Sequence, residues 1–452
     1  MSTVNITKVI QDGKLNKFHI ALLAVCCLII VFDMFDLVVY ASVLPLLMNE
    51  WGISAIEAGV IGSYGPLGMM IGAFIFGIFA DKFGKKNGLM VSVFLFSIFT
   101  FLCAFAPGST MFGICRLIAG IGIGGILPNV IAMLSDYAPE GKANKFISIV
   151  MVCFPVGALI AAVAGIYIIP VLGWQGIYLL TIAPIILIPF IYKYLHDSPI
   201  VLLAKGKKKE LCVALHKANP TVTCTPDMNF VVDTEEEVHS SPIVSLFKDK
   251  RALGTVMIWV VFFMCLLMIN GLNTWLPKIM FSAGYALNSS LGFLVALNIG
   301  AIIGTLVLGN LADKYGAKKV LVPMYIMSAV SLILLMFKAD MWLLYSFIMI
   351  AGACTTGAQN ITYGFTSLYY PSAMRSTAIG FASGVGRIGA IIGPTFGGIL
   401  VELQLSTSMN FLAFAIPGII AAIACMLVPL HNKRKETNET NETFVGKLEE
   451  VN

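Results

Sequence analysis

The sequence predicts an all-α integral membrane protein of twelve membrane-spanning helices arranged as two pseudo-symmetric six-helix bundles. Three observations carry that prediction. Of the 452 residues, 58% are apolar and only 12% charged, and the mean hydropathy is +0.90. A soluble fold would be left with too little polar surface. Apolar runs of about 20 residues, long enough to cross roughly 30 Å of hydrocarbon, recur along the whole chain. The chain also repeats itself: Gly77-Ile-Phe-Ala-Asp81-Lys82-Phe-Gly84-Lys85-Lys86 returns 232 residues later as Gly309-Asn-Leu-Ala-Asp313-Lys314-Tyr-Gly316-Ala-Lys318-Lys319. In each copy an apolar run ends in a tight basic turn and a new apolar run begins.

Taken in order, residues 1–17 read as an N-terminal tail, followed by six runs near 18–46, 57–80, 88–106, 111–135, 145–169 and 175–195. These form a first bundle over 18–195. The first run is longer than the apolar core of a signal peptide and has no small-residue cleavage site after it, so it is expected to stay as the first helix. Residues 196–250 are polar, with Lys207-Lys208-Lys209 followed by Asp233-Thr234-Glu235-Glu236-Glu237. That interval is too small and polar for a domain with its own core and reads as a connector of short helices. Six further runs near 252–276, 289–311, 319–337, 342–367, 377–401 and 408–430 make a second bundle over 251–430. The Glu-Thr-Asn-rich stretch 431–452 has the composition of a disordered tail.

Twelve spans put both ends on one side of the membrane. If that side is the cytoplasm, 25 of the 29 lysines and arginines fall there, as the inside excess of positive charge requires. Lys278 and Lys338 then face outside. The net charge of +5 follows from that excess, so no nucleic acid partner is implied. The expected location is the cell membrane, as a monomer in the lipid bilayer. The ten cysteines contain no Cys-x-x-Cys pair, so neither a disulfide framework nor a metal site is expected.

Charges inside a membrane are costly and mark function. Four fall within spans: Asp33 and Asp36 in the first, Arg116 in the fourth and Arg387 in the eleventh. The aspartates are three residues apart and so share one helix face. Low dielectric favours a neutral carboxyl and a nearby guanidinium favours the charged one. A small geometric change can therefore make such a carboxylate take up or release a proton. The five histidines lie at span ends or in loops, which leaves the carboxylates to carry any proton. The competing reading is a static pair of buried salt bridges, although two acids on one face repel and are hard to explain as packing.

Arg116 opens a glycine-rich run through Gly120, Gly122, Gly124 and Gly125, whose small residues let another helix approach closely. Arg387 lies between Gly386 and Gly389. Its planar fork can grip a carboxylate in two parallel hydrogen bonds, which makes it the candidate substrate-carboxylate site. Asn270 and Asn273 repeat the three-residue spacing in the seventh span without the charge, as neutral hydrogen-bonding groups. Phe154, Trp275, Gln359, Asn360 and Tyr363 are further candidate cavity residues. Asp81 and Asp313, with Lys82, Gly84, Lys85, Lys314 and Gly316, are candidate gating residues. Each acid can meet the positive end of a helix from the other half, a contact worth about 0.3–1 kcal/mol.

The repeated Gly-x-x-x-Asp-Lys-x-Gly turn resembles the signature of the major facilitator superfamily. Five further segments are similar to its aromatic acid:proton symporter family. They are Asp33-Met-Phe-Asp36-Leu-Val-Val-Tyr40 with Leu44-Pro45, Gly124 to Asn129, Trp275-Leu-Pro277, Tyr370 to Gly380, and Gly386-Arg387 to Pro394. Together they cover nearly the whole chain. The resemblance implies the major facilitator fold, alternating access, and uptake of a small aromatic or heteroaromatic carboxylate with a proton. The proton gradient is then the energy source and no cofactor is needed. It further implies coupling roles for Asp33 and Asp36 and a gating role for Asp81, and it matches Arg116 and Arg387 to the family's intramembrane arginines. Two departures stand out: Met34 where the family usually has glycine, and Asp197-Ser198-Pro199-Ile200 where relatives often have Glu-Ser-Pro-Arg.

Other classes compete with import. Proton-driven exporters often carry Gly-Pro-x-x-Gly-Gly in the fifth span, whereas here that span reads Phe154-Pro155-Val-Gly157 and the similar Gly393 to Gly398 lies in the eleventh. A membrane sensor of aromatic acids would carry an output domain, for which the interval 196–250 is too short. An enzyme is disfavoured because no nucleophile–base pair, metal cluster or phosphate loop is visible.

Overall fold

The computed structural model describes residues 3–222, 224–231, 246–248, 251–337, 340–370 and 372–429. The acidic run 233–237, Lys338 and the stretch 431–452 lie outside the described residues, as does the side chain of Asp81.

Among the described residues, eleven helical segments are long and apolar enough to cross a membrane. One of them, Ala143–Tyr194, has 52 residues. At about 1.5 Å per residue it would measure about 78 Å, more than twice the hydrocarbon thickness. Gly173 breaks it with φ +68°, and the segment therefore crosses twice. Twelve spans result. Spans 1 to 4 are Lys17–Trp51, Ala55–Phe83, Lys85–Cys103 and Ser109–Tyr137, and spans 5 and 6 are residues 143–172 and 174–194. Spans 7 to 12 are Ala252–Ser282, Leu287–Tyr315, Ala317–Leu334, Met341–Tyr369, Ser372–Glu402 and Thr407–Leu427.

Local sequence explains the boundaries. Asn16 accepts hydrogen bonds from the first N–H groups of span 1 while the His19 side chain accepts one from the Asn16 N–H, a reciprocal cap. Ser54 and Glu57 do the same for span 2. The two copies of the repeated turn end in Gly84 at φ +98° and Gly316 at φ +96°, a region open mainly to glycine.

Within each half the packing follows one plan. Span 1 lies on 5, 2 on 4 and 3 on 6; correspondingly 7 lies on 11, 8 on 10 and 9 on 12. Gly68 and Gly72 meet the backbone of span 4, and Gly300 and Gly304 that of span 10, so the small residues permit close helix approach. The halves meet through spans 1 and 7, 2 and 11, and 5 and 8.

The described part of the polar interval holds two short helices, Pro199–Ala204 and Lys208–Ala218. The N-terminal tail holds a strand and a short helix. Strand β1, Thr3–Asn5, pairs in parallel with strand β2, Asn229–Val231. The helix Ile6–Gln11 packs on Lys208–Ala218, and Asn219 Nδ2 donates to the Val9 carbonyl at 2.9 Å. The N-terminus and the interval thus form one small cap beneath the first bundle. Buried Ile6, Ile10, Leu211 and Leu215 supply the apolar contacts that a polar composition conceals.

Candidate functional site

Span 4 sets Arg116 beside Asp36 inside the first half, and span 11 sets Arg387 near Asp33 from the second. Asp33 and Asp36 are 1% and 3% exposed, and Arg116 is 4% exposed. Gly65 in span 2 lacks the Cβ that would stand 3.1 Å from Arg116 Nη2, and this missing side chain makes room for the guanidinium. Arg116 lies over the Tyr40 ring at 4.7 Å, and its Nη1 donates to the Asp36 backbone carbonyl at 3.5 Å. Tyr40, whose hydroxyl donates to the Ala58 carbonyl at 2.6 Å, was not singled out by sequence. An aromatic in an apolar run carries no mark of its role.

The static salt-bridge reading meets no support here. Among the described residues neither aspartate has a basic group within 4.0 Å. Asp33 Oδ1, Asp36 Oδ1 and Arg116 Nε are buried without a hydrogen-bond partner. Buried polar groups are normally satisfied, and each exception calls for an explanation. Arg387 acts on Asp33 through space from the opposite half, but its Nη1 donates instead to the Met69 carbonyl of span 2 at 3.0 Å.

That bond marks where the halves part. On the side away from the N-terminus, spans 2 and 11 are in continuous contact: Ala55 N–H donates to Glu402 Oε2 at 2.7 Å. Ser63 Oγ donates to the Ile391 carbonyl at 2.5 Å and lies 2.9 Å from Thr395 Oγ1. Trp275, fully buried, donates its indole N–H to the Pro394 carbonyl at 2.6 Å. Toward the N-terminal end, Gly77 of span 2 and Gly380 and Gly384 of span 11 face nothing within 4 Å. Among the described residues the contacts between spans 2 and 11 thus lie on one side of Arg387, and the open glycines on the other.

The other candidates divide. Tyr363 lies 3.2 Å from Ser383 through its hydroxyl and is, like Asp33, an electrostatic neighbour of Arg387. Asn270 and Asn273 donate back to the Leu266 and Ile269 carbonyls of their own helix, each at 2.9 Å. Each keeps its acceptor oxygen and a second amide N–H, and Asn273 Oδ1 is buried without a partner. Gln359 is half-buried, and Asn360 donates to Thr305 at 3.2 Å in a π-helical turn of span 8. Phe154 packs into the first bundle's own apolar cluster. Among the described residues no three His, Cys, Asp or Glu side chains converge as a metal site would need.

The repeated turns differ in their surroundings. Lys85 Nζ is paired with Asp136 at 2.6 Å, and Gly84 abuts the Asp197 carboxylate. Asp197 accepts from the Lys86 N–H at 2.9 Å, capping span 3 from the connector. In the second half Asp313, Lys314 and Gly316 are exposed and Gly316 faces open space. Lys82 is likewise exposed. Asp136 and Asp197 were missed as partners because nothing local in sequence joins them to residues 84–86.

The pattern of the Major Facilitator Superfamily matches residues 26–300 and 287–450. Over 431 residues the chain is 39% identical to the benzoate transport protein of Acinetobacter baylyi, covering 94% of this chain and 92% of that one. It is 33% identical over 400 residues to the gentisate transporter of Corynebacterium glutamicum, covering 87% and 84%. The inward-open structure of the xylose transporter XylE from E. coli aligns at a TM-score of 0.72 over 92% of this chain and 97% of that one. At 14% identity that likeness concerns the fold. The repeated turn, the twelve crossings and the near full-length relatives agree: the chain is a multi-pass membrane transporter of the major facilitator superfamily and, within it, belongs to the family of aromatic-acid transporters.

Proposed function

We propose that this protein imports an aromatic carboxylate together with a proton, by alternating access between bundles 18–195 and 251–430. One observation carries the reading: two buried aspartates lie beside Arg116 and near Arg387 of the opposite half, yet among the described residues neither aspartate has an ion-pair partner within 4.0 Å. A permanent scaffold would pair such charges, because a lone buried charge costs several kcal/mol. A site that gains and loses a proton and an anion in each cycle has reason to leave them unpaired. The relatives' activities, benzoate and gentisate transport, support an aromatic acid as cargo.

The open end is the one that carries the basic turns and the N-terminus, which the positive-inside rule assigns to the cytoplasm; in this reading the described state faces inward. In the outward state the anion enters with a proton. Arg387 receives the carboxylate, Tyr363 and the remaining amide N–H groups of Asn270 and Asn273 border it, and a proton resides on Asp33 or Asp36 with Arg116 beside Asp36. Neutralising the buried charge lowers the cost of passing the occluded state. The halves then close outside and open inside. The turn residues Asp81, Lys82, Gly84 and Lys85, with Asp313, Lys314 and Gly316, act as latches at the cytoplasmic end, and the proton gradient is the energy source.

Uptake of labelled benzoate, gentisate, nicotinate and an aliphatic acid into proteoliposomes, with and without an inward proton gradient, tests the proposal. Gradient-dependent accumulation of an aromatic acid is expected. Gradient-driven efflux of other compounds, with no acid uptake, would favour the export reading.

A further inference from the structure

At the closed end, outside the seal between spans 2 and 11, lies a second cleft of about 490 Å³ that straddles the two halves. That size falls within the roughly 300–1,000 Å³ of small-molecule pockets. The first half contributes Met48, Asn49 and Ile53; the second contributes Lys278, Phe281 and Leu287. Its walls are apolar apart from Asn49 and the Lys278 ammonium, which lies 5.9 Å from the centre of the Phe281 ring.

Lys278 has no carboxylate within 4.0 Å among the described residues. Three of the acids at this end are engaged elsewhere. Glu50 accepts from the Trp174 indole N–H at 2.5 Å, Glu57 caps span 2 at Ser54, and Glu402 accepts from the Ala55 N–H. A half-buried ammonium without a counter-ion, beside an aromatic ring and aliphatic walls, is complementary to a planar anion with an apolar body.

The geometry points to this cleft as an outer capture site for the aromatic carboxylate, distinct from the charges at Asp33, Asp36, Arg116 and Arg387. The inference rests on the import reading for its physiological sense. The Lys278 ammonium attracts the carboxylate, and the ring of the anion lies against Phe281, Ile53 and Leu287. Because the cleft spans both halves, separating their outer ends opens its floor into the pathway. An anion held there is then at the mouth of the transport site. A half-exposed charge of this kind acts mainly on encounter rate, in a salt-dependent way.

Two measurements with benzoate as the probe test the site. In purified protein, modification of Lys278 by an amine-reactive reagent is followed by peptide mass spectrometry. Benzoate is expected to slow it, and toluene, which lacks the carboxylate, is not. In proteoliposomes, Lys278→Gln is expected to raise the external half-saturation about three- to tenfold and flatten its dependence on ionic strength. The saturated rate should stay unchanged, and Lys278→Arg should restore the wild-type value. Phe281→Ala should raise half-saturation without altering the salt dependence. Unprotected Lys278 at benzoate concentrations that saturate transport, with unchanged half-saturation in Lys278→Gln, would leave a lysine that merely reaches to the membrane interface and would overturn the inference. Protection without any benzoate uptake would uphold the site and sink the import reading instead.

Discussion

Gly59 offers a way to perturb the closed end without disturbing either half. A Cβ there would meet Pro394 O at 2.7 Å, Thr395 Cα at 3.0 Å and Gly398 Cα at 3.3 Å, against an ordinary contact range that begins at 3.4 Å. All three atoms are backbone of span 11, so no side chain can swing away and the helices must separate by about 0.7 Å, the difference between 2.7 and 3.4 Å. Overpacking of this kind costs about 1–3 kcal/mol, and only while spans 2 and 11 touch. In the separated state Gly59→Ala is free of the clash, and alanine is the better helix former by about 1 kcal/mol. The closed-end equilibrium should therefore move about 5- to 150-fold toward opening. Ala55, 3% exposed beneath Glu402, is the reporter: in an Ala55→Cys background, labelling by a membrane-impermeant maleimide should accelerate by that factor when Gly59→Ala is added. An unchanged labelling rate would refute the argument that these backbones seal the end.

Three further outcomes are expected. Gly84→Ala should lower the thermal stability of the purified protein by about 1–3 kcal/mol, from positive φ and from the clash with Asp197, whereas Gly316→Ala, which faces open space, should lose only the strain. Equal losses would remove Asp197 as a brace. Arg387→Lys replaces a planar fork by a point charge and should raise the half-saturation for the carboxylate about tenfold; an unchanged value would move the substrate site elsewhere. His196 accepts from Lys217 Nζ at 3.3 Å and is held below its ordinary 6.5 by burial, then by Lys217 and Lys86. Below 6.5 the unfolded chain binds a proton that the folded chain resists, so the cap is stable above that pH and weakens as pH falls. Hydrogen exchange in Lys208–Ala218 should rise, beyond its intrinsic pH dependence, between about pH 7.5 and about pH 5.5, and His196→Gln should reduce the difference.

The fold was legible because a membrane writes its constraints locally. Asp81-Lys82 and Asp313-Lys314 stand out against apolar runs, and a charge as expensive as Asp33 is visible in a single window. Even the break at Gly173, hidden inside one continuous helical segment, fell between runs of spanning length. The site was legible by the same contrast, as far as its four charges. What stayed hidden depends on contacts distant in sequence: Tyr40 beneath Arg116, Asp197 against Gly84, Arg387 on the Met69 carbonyl. The amide back-bonds of Asn270 and Asn273 were equally out of reach, since an amide's choice between substrate and its own helix is not set by spacing. The folded N-terminus escaped because Ile6 and Ile10 find their apolar partners some 200 residues away, in Leu211 and Leu215, and a short polar segment shows no periodicity of its own.

The central claim is that a buried aspartate couples the proton to the anion, and Asp36→Asn tests it most directly. Benzoate accumulation is measured in proteoliposomes under an inward proton gradient, corrected for passage across protein-free vesicles. The account predicts that wild type concentrates benzoate, that a protonophore abolishes this, and that Asp36→Asn loses accumulation while still equilibrating the anion. Full gradient-driven accumulation in Asp36→Asn would contradict it.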